Sequence, residues 1–112
     1  MSMDYSLRLC YGIIVPEETM NEVYKVLKDF DDFHDNFAEQ VNSWTGGDWF
    51  VGVSKYLNSD LDSFVQEVDK DFFGIDTSML EGLGNFLQFY DDHNLKKYFD
   101  WEPKMYLINF CY

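Results

Sequence analysis

From Tyr5 to Val15 the chain alternates with a period of two. Tyr5, Leu7, Leu9, Tyr11, Ile13 and Val15 fall on one face, and Ser6, Arg8, Cys10 and Gly12 on the other. A helix would scatter those apolar side chains around its circumference, whereas a strand gathers them on one side. The segment is therefore expected to be a half-buried strand, whose apolar face the rest of the chain must cover. Pro16 ends the alternation and suits the first position of a helix, where Glu17 and Glu18 meet the positive end of the dipole. Met20, Val23, Tyr24, Leu27 and Phe30 follow at helical spacing, and Phe37 or Ala38 with Val41 continues the stripe. Asp31 intrudes on that stripe and Phe33 leaves it, which predicts a kink or break near Asp29 to Asp32.

Gly46-Gly47 marks a turn over Ser43 to Asp48, and Trp49 to Leu57 reads as a second strand, rich in β-branched and aromatic residues. Gly52 inside it points to a bulge or a close backbone approach. Ser59 and Asp62 resemble a capping box with Asp in place of Glu. Leu61, Phe64, Val65, Val68 and Phe72 then supply the apolar face of a helix that Gly74 closes. A further helix opens at Asp76, Thr77 or Ser78, with Met79, Leu80, Leu83, Phe86, Leu87 and Tyr90 along one side. Gly82 and Gly84 each cost that helix about 1 kcal/mol relative to Ala, so a tight packing contact is expected there. Asp91 to Asn94 ends it, Leu95 to Phe99 makes a short helical turn, and Trp101-Glu102-Pro103 precedes a closing strand from Lys104 to Tyr112.

The order β-α-β-α-α-β predicts a single α+β domain over residues 1–112, with a small sheet of about three strands and helices on one face. The closing strand is apolar on both faces and should be central or covered. If the strand from Trp49 runs parallel to the first, the helix between them makes a right-handed crossover.

Twenty-one acidic residues against eight basic ones give a formal charge of −13, in a chain with 11 Phe, 8 Tyr and 3 Trp. That much apolar surface offsets the ordering entropy, so the chain should fold and present a strongly negative exterior. One Arg and seven scattered Lys cannot track a phosphate backbone or hold an anionic membrane surface. A basic protein, or a basic groove on one, is the electrostatic complement. No run approaches the ~20 apolar residues of a membrane span, and Met1 to Asp4 do not open a signal peptide. Cys10 and Cys111 sit in apolar strand sequences and read as buried thiols, so a cytoplasmic setting is expected.

The dense run Asp29 to Asp35 invites a calcium reading and fails it. Counted from Asp29, the fifth, sixth and twelfth positions of the loop are Phe33, His34 and Gln40. From Asn58, Asp60 and Asp62 fall in register, but Ser63 replaces the Gly and Asp69 the bidentate Glu. His34 and His93 each neighbour aspartates, as expected by chance in a chain this acidic. The two cysteines lack zinc-ligand spacing. Asp100, Glu102 and Lys104 faintly echo a metal-dependent nuclease site, but Pro103 interrupts them and no basic surface would hold the substrate. Neither thiol has the positive surroundings that would make it a nucleophile, and Gly82-x-Gly84 is no phosphate loop. No cofactor, metal or catalytic residue is expected.

The acidic residues themselves are the candidate site. On a continuous first helix, Asp32, Asp35 and Glu39 lie opposite the apolar stripe, with Glu18, Glu22 and Asp29 in an adjoining row. Neighbours on such a row stand about 5–6 Å apart, of the same order as the ~3.4 Å phosphate repeat along a DNA strand. Asp60, Glu67 and Asp71 would make a parallel row on the second helix. Solubility needs a net charge of only about 2–8, so −13 points to a further use. Trp44, Trp49, Phe33, Phe73 and Phe89 fit the apolar stripes poorly and could anchor an interface. The candidate partner-binding residues are Asp29, Asp31, Asp32, Asp35, Glu39, Trp44, Asp60, Glu67 and Asp71. In composition alone the chain is similar to the small acidic DNA-mimic proteins of phages and mobile elements; no motif carries that likeness and no residue role transfers from it. The expectation is a non-catalytic inhibitor or regulator that occupies a basic, nucleic-acid-binding protein. The alternative is an accessory or scaffold domain, perhaps a homodimer, whose charge serves solubility.

Overall fold

The computed structural model describes residues 5–56, 65–68 and 77–111. The described elements run β1 (Tyr5–Val15), α1 (Glu17–Val26), α2 (Phe30–Phe37), β2 (Ala38–Gln40), β3 (Trp49–Tyr56), β4 (Val65–Val68), α3 (Thr77–Asp92) and β5 (Lys104–Cys111), with a 3-10 turn at Leu95–Lys97. The sheet has five strands in the order β2-β3-β1-β5-β4, and every neighbouring pair is antiparallel. The α+β class and the helix layer are as the sequence predicts; two short strands enlarge the expected sheet.

β1 is the middle of the sheet, paired with β3 along one margin and β5 along the other. β1 and β3 are antiparallel, so no crossover joins them directly. The helices α1 and α2 instead lead from β1 to β2, which runs parallel to β1 with β3 between them. β3 and β5, linked through α3, flank β1 in the same way. The result is two interlocked split β-α-β units. β5 is interior, paired on both sides, as its two apolar faces require.

The segment Val65–Val68 is not helical. It pairs with Met105 to Ile108 as an edge strand. The i, i+3, i+4 spacing that predicts a helix there is overridden by the outer margin of β5, which offers four residues a hydrogen-bonded partner. The remainder of that expected helix, including the Ser59 cap and the Gly74 stop, lies outside the described residues.

The principal core lies between the sheet and the helices. Ile13, Val15, Ala38 and Val51 meet Met20 and Val23 of α1, Phe33 of α2, Phe86 and Tyr90 of α3, and Leu95. Phe33 is fully buried, contrary to its expected place off the stripe. The chain breaks at Leu27, whose backbone is extended, and re-enters a helix at Phe30. That break rotates α2 so that Phe30, Phe33 and Phe37 form its inner face. Phe33 then stacks on Phe89 and Phe99, at centroid distances of 5.7 and 6.5 Å. Tyr24, placed on the inner stripe by its spacing, is outside and exposed. α3 is likewise turned: Met79, Phe86 and Tyr90 are buried, whereas Leu80 and Leu87 face out.

The opposite sheet face is also covered, so β1 is buried on both sides rather than one. Cys10, Phe50, Ile108 and Phe110 cluster there with Val41. Val41 arrives because the chain beyond β2 passes over to β5: Cys111 N–H donates to the Val41 carbonyl at 2.9 Å, and Ser43 N–H to the Cys111 carbonyl at 3.0 Å. Gly12 and Gly52 face each other across β1 and β3 in unbroken register. A Cβ on Gly52 would lie 2.3 Å from the Tyr11 carbonyl oxygen, and its φ of +148° suits only glycine. The expected close backbone approach is present, without a bulge. Gly82 gives the tight packing expected of α3, since a Cβ there would lie 3.2 Å from Val53 Cγ1, while Gly84 has open space beside it.

Candidate functional site

The break between α1 and α2 decides where the predicted carboxylates go. Asp31 and Asp32 occupy the first turn of α2, where the helix dipole favours them, and Asp35 lies one turn on. All three are exposed. Asp35 Oδ1 sits 3.4 Å from His34 Nδ1, and the Asp32 carbonyl accepts from Asn36 Nδ2 at 2.9 Å. Among the described residues neither Asp31 nor Asp32 has an ion-pair partner.

Glu39 does not complete the row. α2 ends at Phe37, and Glu39 falls on the edge strand β2. There it forms an ion pair with Arg8, the one arginine of the chain. The guanidinium lies over the rings of Phe110 and Tyr56, 4.4 and 4.8 Å from their centroids. The row expected on a continuous helix is thus reduced to its α2 part.

Asp29 is held in a different bond. It precedes α2, and its Oδ2 lies 3.1 Å from His93 Nε2, at the far end of α3. The other ring nitrogen, Nδ1, lies 3.0 Å from the Phe89 carbonyl, and the imidazole stacks on the Phe89 ring at 3.8 Å. A carboxylate and a carbonyl both accept, so only the imidazolium, with two N–H donors, satisfies both. The Asp29 hydrogen bond holds the His93 pKa above the usual imidazole value, against the opposing effect of burial, and the Phe89 carbonyl and the charges of Asp29 and Asp92 add to it.

Trp44 is 43% exposed on the β2–β3 connection. The Asn42 side chain shapes that turn, accepting from the backbone N–H groups of Trp44 and Thr45 at 2.9 and 3.2 Å. Gly47 N–H donates to Glu17 Oε2 at 3.2 Å, which ties the turn to the start of α1. Glu67 lies on the edge strand β4, not on a helix. Asp60 and Asp71, like Phe73, fall outside the described residues. Phe89 and Trp49 pack against the main core and are not exposed anchors.

The contact that sequence reasoning passed over is the ion pair of Arg8 with Glu39. Its signal was available: a lone cation at an alternating position of the central strand must be either solvent-facing or paired. The thiols offer no nucleophile, since both are buried and burial pushes the Cys10 pKa well above its ordinary value. Among the described residues no group of three His, Cys, Asp or Glu could hold a metal ion, and no helix is long and apolar enough to cross a membrane. Comparison with protein-family models, curated proteins and solved structures finds no match for the chain.

Proposed function

We propose that this protein is a non-catalytic acidic binding module, an inhibitor or regulator that occupies a basic, nucleic-acid-binding protein by presenting carboxylates in place of phosphates. The observation that carries the reading is the outward face of α2. Asp31, Asp32 and Asp35 stand exposed within two turns of one helix, on a chain of net charge −13, and no Lys or Arg among the described residues neutralises them. Carboxylates at i, i+3 and i+4 spacing repel one another, which weakens the helix slightly unless a cationic partner supplies the counter-charge. Phages and mobile elements are the natural setting for such a module, in the cytoplasm where its partners work.

The test is retention of basic nucleic-acid-binding proteins from the native host on immobilised protein, with stepwise salt elution and competition by duplex DNA or RNA. The proposal expects displacement by nucleic acid and a marked fall in the eluting salt for Asp31→Asn/Asp32→Asn/Asp35→Asn. Unchanged retention by that variant, with its fold intact by circular dichroism, would refute it.

One observation favours the second reading, self-association. Leu80 and Leu87 are 54% and 37% exposed on the outer side of α3, with Gly84 between them and nothing beside it. A dimer through that stripe would persist at high salt and would be abolished by Leu80→Glu/Leu87→Glu. Sedimentation as a monomer at all concentrations would dismiss it.

A further inference from the structure

The outer flank of α2 carries rings as well as carboxylates. Tyr24, near the end of α1, meets the Phe30 ring edge-on at a centroid distance of 5.0 Å. Phe30 lies 6.2 Å from the His34 imidazole, and His34 meets Trp49 edge-on at 5.4 Å. Four rings thus follow one another from α1 along α2 to the start of β3. Tyr24 is 65% exposed and the His34 side chain 46%. Phe30 and Trp49 are partly buried, packed against the main core.

Asp31 and Asp35 make the adjoining row. Each follows a ring residue by one position, so the pairs Phe30–His34 and Asp31–Asp35 run side by side along the helix, with about 5–6 Å between neighbours. Asp31 is also three residues before His34, which closes the gap between the rows. Asp32 lies roughly opposite Phe30 around the helix and takes no part. The Asp29–His93 bond pins this corner to the end of α3 away from Thr77, along a helix about 24 Å long, and α1 and α2 are described throughout.

Charge and ring chemistry together select the occupant. From Glu17 to Asp35 seven carboxylates stand against Lys25 and Lys28, so a second copy of this face is repelled and a cationic partner drawn in. An arginine can use both rows at once. Its planar guanidinium stacks on a ring while its fork of N–H donors reaches a carboxylate, whereas the lysine ammonium is a compact, strongly hydrated point charge. The chain holds its own arginine in this manner: Arg8 lies over the Tyr56 and Phe110 rings and pairs with Glu39. We propose, on the acidic-face reading, that the rings of Tyr24, Phe30 and His34 make this surface select arginine over lysine in its basic partner, seating a guanidinium between them and the Asp31 and Asp35 carboxylates.

The probes are two fluorescein-labelled, amidated octapeptides of equal charge, one alternating glycine with arginine and the other glycine with lysine. Affinities are read by fluorescence anisotropy at low salt, and contacts by NMR shift changes on the isotope-labelled protein. The arginine peptide should bind about fivefold more tightly, with the largest shift changes at Tyr24, Phe30 and His34. Tyr24→Leu keeps the apolar bulk, removes the ring and lies outside the core; it should cut the preference to about twofold or less, while Tyr24→Phe keeps it. Asp31→Asn/Asp35→Asn should weaken both peptides about fivefold or more. Equal affinity for the two peptides would overturn the arginine assignment, as would a preference that Tyr24→Leu leaves whole, shift changes confined to other elements, or no measurable binding. Should the two peptides bind equally yet both weaken on Asp31→Asn/Asp35→Asn, the acidic-face reading survives without the rings. Should neither peptide respond to those two changes, both readings fall.

Discussion

His93 should make this protein less stable as pH rises through neutrality, and the clasp it forms with Asp29 sets the size of the effect. Folded, the imidazole is held above its ordinary pKa of 6.5, chiefly by the Asp29 hydrogen bond. Unfolded, it returns to that ordinary value. Between the two values the native state binds more protons than the unfolded one, so stability falls with rising pH. The contribution is complete below the unfolded pKa and is lost as pH passes the raised folded one. A charge-assisted hydrogen bond contributes about 1.5–3 kcal/mol when shielded. Here the His93 and Asp29 side chains are 24% and 54% exposed, and solvent screening lowers the expectation to about 0.5–1 kcal/mol. That corresponds to a melting shift of about 2–5 °C for a domain of this size. The assay is urea unfolding from about pH 6 to pH 9, for the wild type and for His93→Gln. The difference between the two proteins isolates His93 from the remaining charges. It should be largest at the acid end and should shrink toward pH 9. A difference that is flat, or that grows with pH, would refute the clasp.

Two glycines should respond in opposite directions to the same substitution. Gly12→Ala places a methyl 2.1 Å from the Val51 carbonyl oxygen, with no flexible group to yield, and should cost about 3 kcal/mol or more in denaturant unfolding. Gly84→Ala meets nothing within 4 Å and should stabilise α3 by up to about 1 kcal/mol. Arg8 and Glu39 have side chains 13% and 26% exposed, so Arg8→Met strands a partly buried Glu39 carboxylate and should cost about 2–4 kcal/mol, and Glu39→Gln should cost less. The double variant should cost less than the sum, which a double-mutant cycle reads directly.

Much of the architecture was legible because local pattern and global fold agree. The alternation of Tyr5 to Val15, the stop at Pro16, the turn at Gly46-Gly47 and the closing strand all appear where the spacing puts them. Errors arose where a non-local partner decided the outcome. Val65–Val68 has helical spacing but lies beside the open margin of β5, and pairing prevailed. Phe33 reads on the wrong side because a helical stripe carried across the break at Leu27 keeps a phase that the chain does not, and Leu80 because the apolar stripe of the unbroken α3 is wider than the face it buries. Glu39 is the instructive case for the site. Its spacing from Asp32 and Asp35 fits a helix, and only the start of β2 at Ala38 removes it from that face.

The structure also divides the acidic residues by what they do. Among the described residues, three of them join segments distant in sequence: Asp29 binds His93, Glu17 binds Gly47 N–H, and Glu39 binds Arg8. These hold α2 to α3, α1 to the β2–β3 turn, and β2 to β1. Their charge has a structural partner and cannot be counted as surface offered to another molecule. Asp31, Asp32 and Asp35 lie on the same helix layer without such ties to another described element. Replacing carboxylates wholesale would therefore confound folding with binding, since it would loosen three tertiary contacts while removing the external charge. Neutralising only the α2 residues separates the two. If stability is unchanged or slightly raised by relief of i, i+3 and i+4 repulsion while partner binding falls, the outward charge is a recognition surface. If both are unaffected, the excess is simply a solvated face.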